Sequence, residues 1–301
     1  MFYSPLRYPG GKNRLSAFLA KICIDNKIHG HYVEPYAGGA SVALFLLLEG
    51  YVSKITINDK DRSIYAFWYS VKNNSTKLCE LIDKTEITVE NWHKQKEIQK
   101  QKEEVDLLTL GFSTLFLNRT NRSGIIKGGV IGGIKQDGDY KIDCRFNKEE
   151  IKHRIKFIAK YGTNIEVYND DAIDLIDKIQ LESINKGTIF YFDPPYYLKA
   201  DQLYMNHYMD EHHKGVSDKI KSINNIHWVV SYDDNINIEK LYLNLPTKKY
   251  SFNHSAGISK SGKEIMFFSP YLKQPEVADY NPVNFKIKIN KSRKEIIYKR
   301  D

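Results

Sequence analysis

One rhythm runs twice through the first quarter of the chain: an apolar strand, a turn carrying small or acidic residues, then a helix. The short strand Tyr32–Val33 leads through a glycine-containing turn into the apolar helix Ser41–Leu48. The strand Lys54–Ile57 ends at Asn58-Asp59, and a helix follows from about Arg62 to Lys72. Strand, helix, strand, helix at this spacing predicts a parallel α/β sheet, whose ligands bind beyond the carboxyl ends of its strands. An earlier helix over 14–28 would turn Leu15, Phe18, Leu19 and Ile22 toward the core.

From about Lys77 to Ala159 the rhythm changes. Asn91–Glu104 is heavily charged and reads as a solvated helix, Asp106–Leu117 as a buried one. A stretch rich in Gly, Asn and Arg without a clear period follows. The α/β pattern resumes with Asn164–Val167, Ala172–Ile179 and the strand Thr188–Phe192, and is completed by Trp228–Ser231 and Glu264–Phe268. The simplest account is one sheet domain over 1–76 and 160–272, interrupted by a module at 77–159. A tail over 273–301 carries eight Lys/Arg against four Asp/Glu and suits an edge element or a mobile arm.

Composition narrows the function. The chain has 301 residues, 42% apolar and 27% charged, enough for a packed core. Its longest apolar run, Val42–Leu48, is far short of the roughly 20 residues that span a bilayer, and no secretory signal opens it. Cys23, Cys79 and Cys144 are too few and too scattered for a disulfide framework or a thiolate zinc site, so the expected setting is reducing and cytoplasmic. A net charge of +8 mildly favours a polyanionic partner.

Four motifs carry chemistry. In EPYAGGA (Glu34–Ala40), small residues between a strand and a helix let the backbone approach a ligand closely. Asp59, 21 residues after Gly38, ends the next strand where a carboxylate would accept ribose hydroxyls. The loop is not G-x-G-x-x-G, and Glu34 would repel a pyrophosphate. A ribose-bearing cofactor with a cationic head fits better, and S-adenosylmethionine answers that description; a plain tight turn is the alternative. YPGGK (Tyr8–Lys12) fails as a phosphate loop, because Lys12 is followed by Asn13. What remains is an aromatic lid near the cofactor, or a simple turn.

DPPY (Asp193–Tyr196) hangs from the end of an apolar strand. Its two prolines remove two N–H donors and stiffen the loop, which then presents a carboxylate, a carbonyl and an aromatic face together. That set suits a flat base with an exocyclic amino group. NRTNRSG (Asn118–Gly124) offers two Asn-Arg pairs, side chains that bond bidentately to base edges and to phosphates, or else a surface loop. His212-His213 lacks a second cluster at ligand spacing, so no metal is expected. Ser231 lies in no nucleophile elbow.

In order, YPGGK, EPYAGGA, IND, NRTNRSG, NDDA (Asn169–Ala172) and FDPPY make the chain resemble the Dam-like DNA adenine-N6 methyltransferases, in the arrangement called class α. SYDD (Ser231–Asp234) and GKE (Gly262–Glu264) also resemble that family. The resemblance implies a Rossmann-like methyltransferase sheet with an inserted, mainly helical DNA-recognition module. It implies a site-specific enzyme that moves a methyl group from S-adenosylmethionine to N6 of a flipped adenine in double-stranded DNA. Tyr8, Lys12, Glu34, Gly38, Asp59, Asp171 and Asp193 would then serve the cofactor. Asp193, Pro194 and Tyr196 would grip the adenine, and Arg7, Asn118, Arg119, Asn121 and Arg122 would touch DNA. The loop departs from some members in carrying Ala40 where they have glycine. Cytosine N4, RNA adenine or a protein amide as acceptor stay open as alternatives, as does a DNA-binding protein without catalysis. Monomer or dimer, and pairing with a restriction enzyme against a phage or housekeeping role, are left undetermined; in a bacterium such an enzyme would work at the nucleoid.

Overall fold

A computed structural model describes residues 2–8, 10–182, 187–197, 210–253, 261–275, 280–289 and 296–298. Seven strands form one mixed sheet in the order β3-β2-β1-β4-β5-β7-β6. They are β1 (His31–Glu34), β2 (Lys54–Asn58), β3 (Ile165–Tyr168), β4 (Thr188–Phe192), β5 (His227–Asp233), β6 (Thr247–Asn253) and β7 (Ser261–Phe268). The parallel centre is registered by Tyr32 against Ile189 and by Phe190 against Trp228. Every residue of β4 is buried, as expected of a strand covered on both faces. The last two strands depart from the parallel rule. β7 runs antiparallel between β5 and β6 and sets Glu264 opposite both Asp233 and Tyr250. It therefore brings its beginning, where its parallel neighbours bring their ends, to the edge where ligands bind.

The chain divides into two compact units. The first comprises 1–11, 37–40 and 57–170. It holds α3 (Arg62–Asn73), α4 (Ser75–Lys84), α5 (Val89–Lys100), α6 (Leu107–Thr120) and α7 (Lys148–Ala159). Side-chain caps start four of these: Asp61 accepts from Ser63 N at 3.0 Å, Thr88 from Asn91 N at 3.2 Å, Asp106 from Leu108 N and Thr109 N at 3.0 Å each, and Asn147 from Glu150 N at 3.0 Å. Helix α6 is apolar on nearly every side and is buried. It lies so close to α3 that a Cβ on Gly111 would fall 2.5 Å from the Ala66 carbonyl oxygen. The charged stretch expected to be a solvated helix is α5, and it is not solvated all round. Trp92 and Gln95, one turn apart, are buried, and charge on the other faces hides that stripe in the sequence.

The second unit comprises 12–36, 41–56 and 171–301. It holds α1 (Ser16–Asp25), α2 (Ser41–Leu48), α8 (Ala172–Glu182), α9 (Asp210–Lys221) and α10 (Ile236–Leu241). The described part of the tail joins no edge of the seven-stranded sheet. Tyr280 and Phe285 lie on Phe18 with ring centroids 5.6 and 5.4 Å away, and β8 (Ile287–Ile289) pairs antiparallel with β9 (Ile296–Tyr298).

Candidate active site

In the second unit, the end of β4 delivers Asp193 directly after five buried residues. Its Oδ1 accepts from Lys12 Nζ at 3.1 Å and from Ser231 Oγ at 2.9 Å. Ser231 comes from the neighbouring strand β5 and also bonds the Tyr191 hydroxyl at 2.7 Å. The other carboxylate oxygen, Oδ2, and the Pro194 carbonyl have no hydrogen-bond partner among the described residues. Two acceptors thus stay open on one rigid loop.

Lys12 is the hub. Its ammonium donates to Tyr196 Oη at 2.7 Å, Glu264 Oε1 at 2.8 Å and Asp193 Oδ1 at 3.1 Å, and it lies 4.8 Å from the Tyr196 ring centroid. Three donors meet three acceptors. Glu264 takes Tyr196 and Lys12 on Oε1 and the Tyr250 hydroxyl on Oε2. Tyr196 is only 4% exposed, so the ring expected to stack on a base is packed away with its hydroxyl engaged.

Burial would lower Lys12, but the charges of Asp193 and Glu264 outweigh it and hold the ammonium protonated far above its ordinary range. Burial raises Asp193, Lys12 opposes and Glu264 adds, which leaves its carboxyl at about 6. Two carboxylates around one ammonium give this cluster a formal charge of −1, a setting that suits a cation. Glu34, at the end of β1, is 4% exposed. It accepts from Tyr32 Oη and from Ala43 N in the first turn of α2, both at 3.1 Å. Burial, opposed by those two bonds and reinforced by Asp193, pushes it up to about 8. Such a carboxyl becomes an anion readily once a cationic group lies against it.

Asp171 is the first-turn cap of α8, accepting from Ile173 N at 3.0 Å. Capping satisfies one of its oxygens, a role that the motif NDDA did not disclose.

In the first unit, Gly38 N donates to Asp59 Oδ2 at 3.0 Å, Asp61 N to Asp59 Oδ1 at 2.9 Å, and Trp68 Nε1 to the Gly38 carbonyl at 2.8 Å. Gly38 has φ +45°, and a Cβ there would lie 2.6 Å from Tyr8 Cε1, so only glycine leaves this turn its shape. Ala40, the residue at the departure from the family pattern, has φ +46°, a left-handed backbone in which glycine would sit without strain. Burial and the charge of Asp61 raise Asp59 to about 7, against the two backbone N–H groups.

The Asn-Arg pairs separate by role. Asn118 is fully buried; it accepts from Arg7 N at 2.7 Å and donates to the carbonyls of Arg7 at 3.0 Å and Gly124 at 2.8 Å. Asn121 is fully buried too, accepting from Trp92 Nε1 at 2.6 Å and donating to the carbonyls of Ile125 at 2.8 Å and Ile126 at 2.9 Å. Their amides are engaged by the protein's own backbone and by Trp92, so the expectation that these two asparagines touch DNA gives way to an internal, loop-holding role. Arg119 is partly buried, with Nε on the Pro5 carbonyl at 2.7 Å. Burial, then Arg154 and Arg7, lower its guanidinium to about 10. Arg122 is exposed, and its guanidinium has no partner among the described residues. Arg7 is half-buried and lowered by burial and by Arg145. Beyond Arg122, the same loop exposes Lys127, Lys135, Lys141 and Arg145 beside Tyr140, against Asp137, Asp139 and Asp143. Among the described residues no group of three or more His, Cys, Asp or Glu could hold a metal ion, and no helix is long and apolar enough to cross a membrane.

Glu264 and Ser231 entered the sequence reading within the motifs GKE and SYDD, without a role of their own; nothing comparable marks Tyr250.

The profile of the D12 class N6 adenine-specific DNA methyltransferases matches residues 8–257. The Type II methyltransferase M.MjaIII of Methanocaldococcus jannaschii is 24% identical over 205 residues, which cover 64% of this chain and 68% of that protein. Two structures of the rRNA methyltransferase aviRa of Streptomyces viridochromogenes each cover 87% of this chain and 86% of their own at 11% identity, with TM-scores of 0.38 and 0.37.

Proposed function

The chain belongs to the D12 class of N6 adenine-specific DNA methyltransferases, and we propose that Asp193 Oδ2 and the Pro194 carbonyl are the acceptors that activate the adenine N6. The observation that carries this reading is their openness: Lys12 and Ser231 hold Oδ1, while the two remaining acceptors have no partner among the described residues.

The residues present fit S-adenosylmethionine as methyl donor. Glu34 is a buried carboxyl suited to a cation, and glycine at 38 lets the Tyr8 ring pack against the turn. Glu34 and Asp59 would hold the methionine ammonium and the ribose hydroxyls, with Tyr8 and Gly38 shaping the loop. Asp171 would lie toward the adenine moiety. When bound, this donor supplies an electrophilic methyl group on a sulfonium.

The N6 lone pair of adenine is delocalised into the ring. Bonds from both N6 hydrogens to Asp193 and Pro194 would localise it outward, and these fixed acceptors would stabilise the positive charge that develops on nitrogen. The N–C bond forms as the methyl–sulfur bond breaks, and the nitrogen then loses one proton. A carboxyl at about 6 takes that proton at neutral pH and returns it to water. Because N6 is otherwise paired, the base must leave the duplex, at a cost of a few kcal/mol. Arg122, with Lys127, Lys135, Lys141 and Arg145, would bind the phosphates of double-stranded DNA, joined by Arg7 and Arg119. Pairing with a restriction enzyme rests on the Type II designation of the Methanocaldococcus relative.

The test is methyl transfer from labelled S-adenosylmethionine to unmethylated duplex DNA, with nucleoside analysis of the product. N6-methyladenine, absent with Asp193→Ala, supports the reading. Label in RNA or in cytosine instead overturns the substrate, and no transfer at all overturns the reaction.

A further inference from the structure

We infer that Glu264 is a positioning residue for methyl transfer: it holds Lys12 and the Tyr196 hydroxyl, and through Lys12 it fixes the carboxylate of Asp193 in the orientation that leaves Oδ2 open. The assignment rests on the reading of Asp193 given above and adds the group that acts behind it.

Three observations carry it. Glu264 is 2% exposed, so its carboxylate serves no solvent role, and both its oxygens are engaged: Oε1 by Lys12 and Tyr196, Oε2 by Tyr250. The antiparallel course of β7 places this residue between Asp233 on β5 and Tyr250 on β6, one strand beyond the Ser231 that holds Asp193. Lys12 divides its three donors among Tyr196, Glu264 and Asp193, so without Glu264 it would be free to swing toward Asp193 and compete for its open oxygen. A buried ion pair of this kind contributes little to stability for its desolvation cost, which favours a positional role over a structural one.

Glu264 also acts on Asp193 through charge. The groups facing Asp193 are Lys12, Ser231, Tyr191 and Glu264, with Glu34 further along the edge. Of these, Lys12 favours its ionised form and Glu264 disfavours it. Neutralising Glu264 must therefore move the acid limb of the rate profile to lower pH, which a purely structural role would not do.

The test compares Glu264→Gln and Tyr250→Phe with the wild-type enzyme, reading kcat, the dissociation constant for S-adenosylmethionine and the pH profile of kcat. For Glu264→Gln, kcat should fall about tenfold to a hundredfold, since small misplacements of a reacting group cost on this scale. Cofactor affinity should change less than twofold, and the acid limb should move to lower pH. Tyr250→Phe keeps the charge and frees only Oε2, so kcat should fall several-fold with the acid limb in place. Wild-type kcat and an unmoved acid limb in a folded Glu264→Gln protein overturn the assignment. Should that variant fail to fold, Tyr250→Phe decides: reduced kcat at unchanged cofactor affinity supports it, and wild-type kcat overturns it. Wild-type protein that methylates no adenine would instead overturn the functional reading, and this assignment with it.

Discussion

The turn after β4 and the loop after α6 treat their polar side chains in opposite ways. Behind β4, charged groups are buried, each bonded to the next, and one carboxylate oxygen and one carbonyl stay open. After α6, the asparagines are buried and bonded to backbone, while the cations stand in water. On the function proposed above, the difference follows from what each would meet. A reacting amine has to find acceptors already in place, because reorganising them during the reaction would raise the barrier. A phosphate backbone is met by charges that release counterions, which needs cations at the surface and a loop that holds its shape.

Substitutions can break this contrast, and the largest effect is expected at Asp193. Asp193→Ala removes the open acceptor and should lower kcat by about 10²–10³-fold or more. Calorimetric binding of S-adenosylmethionine should stay measurable; full activity would remove Asp193 from its role.

Next comes Asn118. Asn118→Ala breaks three hydrogen bonds of 2.7, 3.0 and 2.8 Å to buried backbone. It should cost about 2–3 kcal/mol of stability in denaturant titration. DNA selectivity of the folded fraction should hold, and a change there without loss of stability would return Asn118 to the DNA surface.

Arg122→Ala should cost less, weakening DNA binding by about 1 kcal/mol and reducing the salt slope of log affinity by about 1, with protein stability unchanged. An unaltered slope would show that Arg122 meets no phosphate.

A different handle on the contrast is pH. The carboxyls of Glu34, Asp59 and Asp193 sit at about 8, 7 and 6, all above their ordinary values. Groups raised on folding favour the folded state below their unfolded pKa, and that contribution is lost as pH rises through the folded one. The ligand-free protein should therefore lose stability between about pH 4 and pH 8. Because the native carboxyl sits at about 8 against an ordinary 4.5, Glu34→Gln should recover on the order of 4 kcal/mol more at pH 9 than at pH 5. An equal gain at both pH values would rule out charge as the cause.

Much of this was legible in the residues. The elements Ser41–Leu48 and Thr188–Phe192 emerge with the limits their patterns give, because a long apolar run bounded by turn residues leaves little choice of ends. Asp193 was legible because the strand before it is plainly apolar and two prolines follow. What the residues hid is what depends on partners distant in sequence. Asn118 and Asn121 look like base readers until Arg7, Gly124 and Trp92 are found against them. Helix α9 buries His213, Val216 and Ile220 at helical spacing, but histidine and charged neighbours mask that stripe in the sequence, and strand β6 takes its place from its pairing with β7.

The antiparallel course of β7 has a consequence for the order in which the protein can come to life. Lys12 leaves the ribosome 252 positions before its partner Glu264. Contacts of such separation close late, because the entropy of so large a loop must be overcome before the contact rewards it. A nascent chain can therefore hold its parallel strands before it holds Lys12 in place. On the role inferred for Glu264, catalytic competence would arrive with β7, and a chain cut short before Ser261 would carry DPPY without the means to aim it.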